Sequence, residues 1–286
     1  MATLLDFRRR IRSVKNTQQI TRAMKFVAAA RLRRAQESAI AARPYAQELA
    51  RVLRSTMARI QEPQHALLAV RPEERVLVIV LTGERGLAGA FNTNILKKAN
   101  ELFRANKGKK LSLVPVGKKG RDSLKRAGFE FAAEYINVLS RVEFKTAREI
   151  ANLVTELYAK EAVDSVYIVF SEFKSVMTAN LQVEKLLPVE KMQAEGNSEA
   201  QTDYIYEQPE AQLLDRLLPR YIETQVLRAM LESSASEYAA RMTAMESATK
   251  NAGEVIQALT LHMNKVRQAA ITREIIEIVS GASSTA

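Results

Sequence analysis

The C-terminal part of the chain carries an unbroken heptad repeat, and no other feature constrains the fold as strongly. Apolar or small residues recur at steps of four and three, a spacing typical of a coiled coil. They are Leu231, Ala235, Tyr238, Met242, Met245, Thr249, Ala252, Ile256, Leu259, Met263, Val266 and Ala270. We predict a helix from about Leu213 to Val279. At a length of roughly 90 Å it is too long for one compact domain and requires a partner helix.

A second, weaker heptad stripe predicts a partner helix over Leu4 to Ile60. Its members are Leu4, Phe7, Ile11, Val14, Gln18, Thr21, Lys25, Ala28, Leu32, Ala35, Ala39, Ala42, Ala46, Leu49 and Leu53. The polar residues Gln18, Thr21 and Lys25 occupy successive positions, and polar residues there reduce stability while fixing the register. Pro44 is expected to kink or interrupt the helix. Because a folded region separates the two helices in sequence, they can pair antiparallel.

The middle of the chain alternates strand and helix patterns, which indicates an α/β domain with a parallel or mixed sheet. Predicted strands are Arg75–Leu81, Leu111–Val116, Val166–Phe170 and Leu181–Leu187. Predicted helices are Asn92–Asn106, Lys118–Ala127 and Ala147–Ala162. The polar, aperiodic residues 190–203 are predicted to form a mobile loop. The predicted fold is a mixed one: a long antiparallel coiled coil of the terminal helices (1–60 and 209–286) plus a central Rossmann-like α/β domain (61–208).

Composition excludes several classes of function. The 286 residues include no cysteine, so disulfides and thiol chemistry are absent. No apolar run approaches 18 residues, and the start MATLLDFRRR is not a signal peptide. The net charge of +11 is concentrated in residues 1–60, which hold 14 Lys/Arg against 3 Asp/Glu, whereas the remainder has 29 of each sign. This distribution indicates an acidic partner for the first helix.

No reaction centre emerges from the candidate site residues. The glycines of the loop at residues 82–92 are spaced G-x-x-G-x-x-G, whereas dinucleotide sites use G-x-G-x-x-G, and no Walker-type phosphate loop occurs. The only histidines, His65 and His262, stand in a Pro-flanked connector and on a long helix without a second ligand one turn away. We therefore predict no catalytic residue, cofactor or metal, and expect the chain to be no catalyst by itself.

Two other classes of function remain open on the residues alone. One is a nucleotide-dependent α/β enzyme with a coiled-coil arm, against which the missing phosphate motif argues. The other is a basic coiled coil that binds nucleic acid through its first helix. Only Phe7, Phe26 and Tyr45 are aromatic among residues 1–60, and so few stacking residues favour an acidic protein over a nucleic acid as the partner.

The C-terminal segment Ile271–Ser284 resembles the signature of the γ subunit of F-type ATP synthases. Ile-Thr, a Glu two positions later, an acidic residue three after it and Gly-Ala four further on all stand where that signature requires them. Further segments resemble the family in the same order along the chain. They are Ile20–Val27, Arg85–Asn92, Asp203–Glu207, Ala239–Met242 and Asn264–Ala269. The sequence departs from the family pattern at Gly83-Glu84, where Ser-Asp is usual, and at Ala88, where many members have cysteine.

The resemblance implies a rotor shaft. In the family, the paired terminal helices stand inside a ring of α and β subunits, and the α/β domain docks on the ε subunit and the membrane c-ring. Proton flow turns the shaft, which drives the β sites through different nucleotide affinities by conformational coupling. In the family, this subunit has no nucleotide site and acts on no other small-molecule substrate. The resemblance also implies a bacterial protein, peripheral on the cytoplasmic face of the inner membrane.

The resemblance assigns partner contacts to two groups of residues. Contacts with β subunits are implied for Met24, Lys25, Arg85, Arg267, Gln268, Thr272 and Glu274. Contacts with the c-ring and ε are implied for Tyr204, Tyr206 and Glu207.

Overall fold

A computed structural model describes residues 3–59, 65–189 and 210–284 of the chain. The helices are α1 (Leu4–Arg59), α2 (Phe91–Ala105), α3 (Lys118–Arg126), α4 (Phe144–Ala159) and α5 (Glu210–Ser284), with a short 3₁₀ turn at Ala66–Leu68. The strands are β1 (Arg75–Leu81), β2 (Lys110–Val116), β3 (Ser165–Phe173) and β4 (Ala179–Leu187). Every predicted strand and helix is present, with ends that differ by a few residues.

The chain divides into two compact units, one within Met1–Ala28 and Met242–Ala286 and the other within Ala29–Arg241. The domain boundaries predicted at residues 60 and 208, and the loop predicted at 190–203, lie outside the described residues. They stay predictions.

The heptad stripes of α1 and α5 are the packed faces of these helices. No member of either stripe is exposed, and each is buried or half-buried. In the smaller unit the Phe7 and His262 rings lie 5.0 Å apart between centroids. Further along, the Thr21 and Thr249 hydroxyl oxygens lie 2.8 Å apart. Because positions early in α1 meet positions late in α5, the helices run antiparallel, as predicted.

Pro44 does not interrupt α1, which continues through it. The proline removes one N–H donor, and its helical acceptor would be the carbonyl of Ile40. Both Pro44 and Ile40 are exposed, so the proline lies on the solvent side of the helix, where a freed carbonyl costs least. Ala39 and Ala46, on either side of Pro44 in sequence, are buried, so this stretch of the helix remains packed. The expected interruption was therefore wrong, because the proline lies on the side where it costs least, whereas the kink expected as the alternative stays a prediction.

The sheet of the larger unit is mixed, with strand order β2-β1-β3-β4. β1 is parallel to β2 and to β3, whereas β3 and β4 are antiparallel. The alternation of β1 sends Val76, Val78 and Val80 to one face, where they pack with α2 and α3. Leu77, Ile79 and Leu81 point to the other face, where α4 and parts of α1 and α5 cover them.

A buried ion pair connects both terminal helices to the sheet within the larger unit. The Glu232 side chain is only 3% exposed. Its carboxylate accepts hydrogen bonds from Arg43 Nε at 2.9 Å and Arg43 Nη2 at 3.1 Å. It also accepts the Phe173 N–H at 3.1 Å, while Arg43 Nη2 donates to the Phe173 carbonyl at 3.1 Å. A buried carboxylate of this kind is tolerated only when such partners surround it.

Asp164 connects the beginnings of β1 and β3. The residue is 2% exposed, and its Oδ2 accepts the backbone N–H groups of Glu74 at 3.2 Å and Arg75 at 2.8 Å. The Arg75 guanidinium adds two charge-assisted bonds, at 3.1 and 2.6 Å. The hydrogen bonds from Arg75 lower the pKa of Asp164 below its ordinary value.

We expect a disulfide to form between cysteines replacing Thr21 and Thr249. Their hydroxyl oxygens are 2.8 Å apart, which brings the Cβ atoms near the separation that a disulfide needs. The chain has no cysteine of its own, so oxidised protein on a non-reducing gel reports this bond alone. Thr21→Cys with Ile256→Cys, two helical turns away, is the matched control. Equal yields from both pairs would contradict the antiparallel register.

Asp164→Asn should lower the free energy of unfolding by about 2 kcal/mol at neutral pH, because a hydrogen-bonded ion pair is lost at a buried position. Since the pKa of Asp164 is lowered in the folded chain, its contribution is present above the ordinary pKa of 3.8 and is lost as pH falls through the folded-state pKa. Urea unfolding at neutral and acidic pH measures the difference. Glu101→Gln, an exposed control, should change stability by less than about 0.5 kcal/mol. A deficit that does not shrink in acid would contradict this assignment.

Candidate functional site

The polar positions of the α1 stripe all bind α5. Gln18 Nε2 donates to the Thr249 carbonyl at 3.3 Å, and the Thr21 hydroxyl meets that of Thr249. Lys25 Nζ lies 2.6 Å from Glu246 Oε1, in an ion pair whose side chains are 32% and 59% exposed. The three polar residues therefore set the register between the helices, as their place in the stripe predicts.

Met24 and Lys25, two of the predicted β contacts, are both half-buried on α1. The Lys25 charge is already satisfied by Glu246 inside the chain. A partner carboxylate would therefore have to share or displace that pair. Their contact with a β subunit stays a prediction.

The loop after β1 is held by its own polar side chains. The Gly83 N–H donates to Asn92 Oδ1 at 2.8 Å. Glu84 accepts the Lys118 N–H through Oε2 and the Val138 N–H through Oε1, each at 3.0 Å. A carboxylate at the first residue of α3 also suits the positive end of that helix. Because Glu84 is anchored at both oxygens, the residue after it is presented at a fixed place on the surface.

Arg85 and Leu87 project from this loop. Arg85 is exposed, and Leu87 is 63% exposed with a φ of 64°, an uncommon conformation for a residue with a side chain. Arg85 also borders a small cavity of about 180 Å³. The cavity is lined by Arg31, Glu84, Arg85, Asn137, Ser140, Glu237, Tyr238 and Arg241.

Glu237 is the buried charge of this cavity, with only 4% of the residue exposed. Arg241 Nη2 donates to its Oε1 at 2.5 Å. Burial raises the pKa of Glu237 above its ordinary value, while the Arg241 guanidinium acts in the opposite direction. The Arg31 and Arg241 guanidinium carbons lie 5.9 and 5.7 Å from the centre of the Tyr238 ring. The lining thus combines cations and carboxylates without a nucleophile paired to a base.

The buried Glu237 carboxylate lies close to Gly83 and leaves little room for a side chain there. A Cβ at residue 83 would lie 2.8 Å from both Cδ and Oε1 of Glu237. We expect Gly83→Ala to lower the free energy of unfolding by about 1–3 kcal/mol, as overpacking does. The control is Gly86→Ala, whose added Cβ would meet only the end of Lys119 at 3.8 Å. Chemical unfolding of both variants measures the difference, and equal stabilities would show that the approach of Glu237 is not a constraint.

The last turns of α5 are exposed. Residues 271–280 are all exposed, in contrast to the buried or half-buried stripe that ends at Ala270. Arg267, Gln268, Thr272 and Glu274, predicted to contact β, share this region and are exposed as well. The Thr272 hydroxyl donates back to the Gln268 carbonyl at 2.9 Å. The structure therefore brings these four residues together on one stretch of helix, distant in sequence from Met24, Lys25 and Arg85.

Large apolar side chains surround these polar residues. Ile271, Ile275, Ile276, Ile278 and Val279 are 48, 55, 58, 71 and 62% exposed. At about 100° per residue they fall on one broad side of the helix. Gln268 and Thr272 lie on that side, whereas Arg267 lies at its border and Glu274 beyond it. An apolar surface of this size is unusual on a free chain and marks an interaction site.

The remaining predicted site residues contribute no site here. Tyr204, Tyr206 and Glu207 lie outside the described residues, so their contacts with a c-ring and ε stay predictions.

The two histidines serve the packing of the chain. His65 Nδ1 accepts the Leu67 N–H at 3.0 Å, and burial lowers the pKa of His65. His262 packs on Phe7. In the part of the chain that the structure describes, no group of His, Cys, Asp or Glu is arranged to hold a metal ion, and no helix is long and apolar enough to cross a membrane.

Sequence reasoning missed the α5 residues that complete these contacts. Glu232, Glu237 and Glu246 each bind a cation of the chain, at Arg43, Arg241 and Lys25. Glu237 and Arg241 lie four residues apart on one helix, a spacing that could have identified this pair. The other two pairs join residues far apart in sequence, and no local pattern indicates them.

The comparisons with known proteins agree along the whole chain. A family model described as ATP synthase matches residues 3–285. An ATP synthase gamma chain from Solibacter usitatus is 49% identical over 288 residues, covering 99% of each chain. Another from Geobacter sp. is 49% identical over 287 residues with the same coverage. A third, from Pelotomaculum thermopropionicum, is 45% identical over 284 residues, again covering 99% of each.

Solved structures share the fold. A chain from the central stalk and c-ring structure of the Tetrahymena thermophila mitochondrial ATP synthase has a TM-score of 0.61 at 26% identity, covering 80% of this chain and 99% of that one. A chain from the Euglena gracilis mitochondrial ATP synthase has a TM-score of 0.70 at 20% identity, covering 99% and 94%. Together with relatives that match over 99% of the chain, these findings show that the chain belongs to the ATP synthase gamma chain family.

Proposed function

We propose that this chain works as the rotating shaft of an ATP synthase without an active site of its own. Ion flow through the membrane c-ring turns the chain, and the chain drives the nucleotide sites of the surrounding α and β subunits through their conformations. The observation that carries this proposal is the pairing of the terminal helices in a fixed register, with an exposed apolar tip beyond the paired stretch. A shaft transmits torque only if its two helices do not slip along each other.

The register is suited to that task because polar contacts fix it. Alanines and other small residues of the stripe would pack almost as well after a shift of one heptad. The hydrogen bonds of Gln18 and Thr21 and the Lys25–Glu246 ion pair would then lose their partners. An unsatisfied polar group costs about 1–3 kcal/mol when it is removed from water. Slippage is therefore resisted by specific bonds as well as by packing.

The tip of α5 is the part that the partner subunits enclose in this proposal. Its exposed side chains from Ile271 to Val279 require cover by other apolar surface. Arg267 and Gln268 precede these turns, and both are exposed. In a ring of partner subunits the Arg267 guanidinium would be partly desolvated, and it would hold a carboxylate or carbonyl in one geometry.

Catalysis remains with the partner subunits in this proposal. A Walker-type nucleotide site holds the phosphates in a glycine-rich backbone cradle with a lysine, whereas the loop after β1 is filled by the contacts of Gly83 and Glu84. In this proposal the chain lies at the cytoplasmic face of a bacterial membrane as a peripheral component of the complex. Tyr204, Tyr206 and Glu207 are proposed to contact the c-ring and ε there.

Arg267→Ala combined with Gln268→Ala tests the tip. If these side chains select one shaft orientation by a directional contact, their loss should reduce ATP-driven proton pumping several-fold while the complex still assembles. Pumping is measured in membrane vesicles, and assembly by subunit stoichiometry on native gels. Lys265→Ala, another exposed residue of the same helix, is the control and should leave pumping unchanged. Normal pumping by an assembled double variant would remove both residues from the mechanism.

A further inference from the structure

A second concentration of positive charge lies in the α/β region. Residues 97–126 hold eleven Lys/Arg and two Asp/Glu, an excess of nine positive charges. Residues 61–286 as a whole are balanced, with 29 residues of each sign. The rest of that region is therefore acidic by the same amount. Positive and negative residues are therefore separated along this region. Such a separation creates a local electrostatic field even though the net charge of the region is zero.

The fold gathers these charges on one side of the sheet. Ile95, Ala99 and Phe103 of α2 belong to the same core cluster as Leu124 of α3. Both helices therefore cover the same face of the sheet, and the opposite face is covered by α4 and the terminal helices. β2 forms the edge of the sheet beside them. The polar sides of α2 and α3 and the turn before β2 consequently point outward together.

Most of these cations have no paired counter-charge among the residues that the structure describes. Eight of them are exposed and form no ion pair with any carboxylate of the described residues. They are Lys97, Arg104, Lys107, Lys110, Lys118, Lys119, Lys125 and Arg126. We call this set the α2/α3 basic face.

Three carboxylates near the α2/α3 basic face are already bound by other cations. Glu101 pairs with Lys98 at 3.4 Å. Glu73 pairs with Lys109 at 3.1 Å, and Asp122 with Arg121 at 2.7 Å. These three residues thus do not compensate the eight cations. Glu84, which accepts the Lys118 N–H, offsets at most one charge, so the face keeps a net positive charge.

The composition of the face distinguishes among anionic partners. Six of its eight members are lysines, which act as point charges, whereas bidentate recognition of a defined carboxylate or phosphate favours arginine. Two aromatic rings of the same core cluster, Phe103 and Phe129, pack on each other at 5.0 Å, and Phe103 is buried, so neither offers a free platform for a nucleobase. Clusters of four to eight basic residues are typical of surfaces that bind anionic lipid.

We propose that the α2/α3 basic face binds the anionic phospholipid headgroups of a membrane surface, and that it does so in the chain before the chain enters its complex. Electrostatic attraction would concentrate the free chain at the membrane where its partners lie. The attraction is diffuse and acts within about a Debye length, roughly 10 Å at moderate salt. Binding of this kind is weak and reversible, which suits an encounter that precedes assembly.

This proposal goes beyond the rotor function, because it concerns the free chain and depends only on its own charges. The test uses the full chain with sedimented vesicles of phosphatidylcholine, with or without phosphatidylglycerol, at low and high salt. We expect binding only to vesicles that contain phosphatidylglycerol, and loss of that binding at high salt. The variant Arg267→Ala with Gln268→Ala should bind these vesicles as the parent chain does. A failure of the rotor proposal at the tip of α5 and a failure of the lipid proposal at the α2/α3 basic face therefore give different results.

A charge-matched pair of variants locates the surface. The first variant combines Lys118→Gln, Lys119→Gln and Lys125→Gln on α3. Each lysine near an anionic surface contributes roughly fivefold to partitioning, so this variant should bind at least about tenfold more weakly. The control removes the same charge from exposed positions of α1, and circular dichroism checks that both variants fold. The substitutions of the control variant are Arg8→Gln, Arg9→Gln and Arg12→Gln.

The control should lose much less binding than the α3 variant. Equal losses would mean that net charge alone attracts the chain, and the proposal would fail. The proposal would also fail if the parent chain did not bind phosphatidylglycerol vesicles but bound polyglutamate through α3. In that case the α2/α3 basic face would be a binding surface for an acidic protein.

Discussion

One buried carboxylate, Glu232, joins three elements of the larger unit. It takes two hydrogen bonds from Arg43 of α1 and one from the Phe173 N–H of β3, while belonging itself to α5. Removing one partner of such a pair typically costs about 3–5 kcal/mol, because the remaining charge stays buried without compensation. The two terminal helices and the sheet therefore keep their arrangement together. A shift of any one of them leaves a charge or a backbone group unsatisfied.

Polar groups continue this role along α5. The Ser234 hydroxyl donates to the Leu139 carbonyl at 3.0 Å, and the Ser236 hydroxyl to the Ser171 carbonyl at 3.1 Å. In the smaller unit, Thr21 and Lys25 of α1 do the same for the late turns of α5. Apolar packing drives these helices together but is nearly indifferent to register where alanines recur. Hydrogen bonds supply the specificity that small residues lack.

The sequence predicts those parts of the fold that depend on local periodicity. Heptad spacing identified both terminal helices and every packed position of their stripes, and β-branched runs such as Arg75–Leu81 identified the strands. The Glu232–Arg43 pair joins residues 189 positions apart, and a glutamate on a helix gives no local sign of burial. The same limit hid the approach of Glu237 to Gly83, since the glycine alone predicts only a turn or a close contact. The interruption expected at Pro44 was wrong because the cost of a proline depends on which side of α1 it occupies.

The proposed rotation requires two kinds of contact at the tip of α5. Apolar contact is non-directional, so the side chains from Ile271 to Val279 would stay covered by an apolar cavity at every angle of the helix. A guanidinium such as that of Arg267 forms bonds of defined direction, which distinguish one angle from another. A purely apolar tip would turn without selecting a state, and a purely polar one would bind too strongly in one orientation to leave it. The chain carries both within a few turns, and that combination is what coupling by population shift requires.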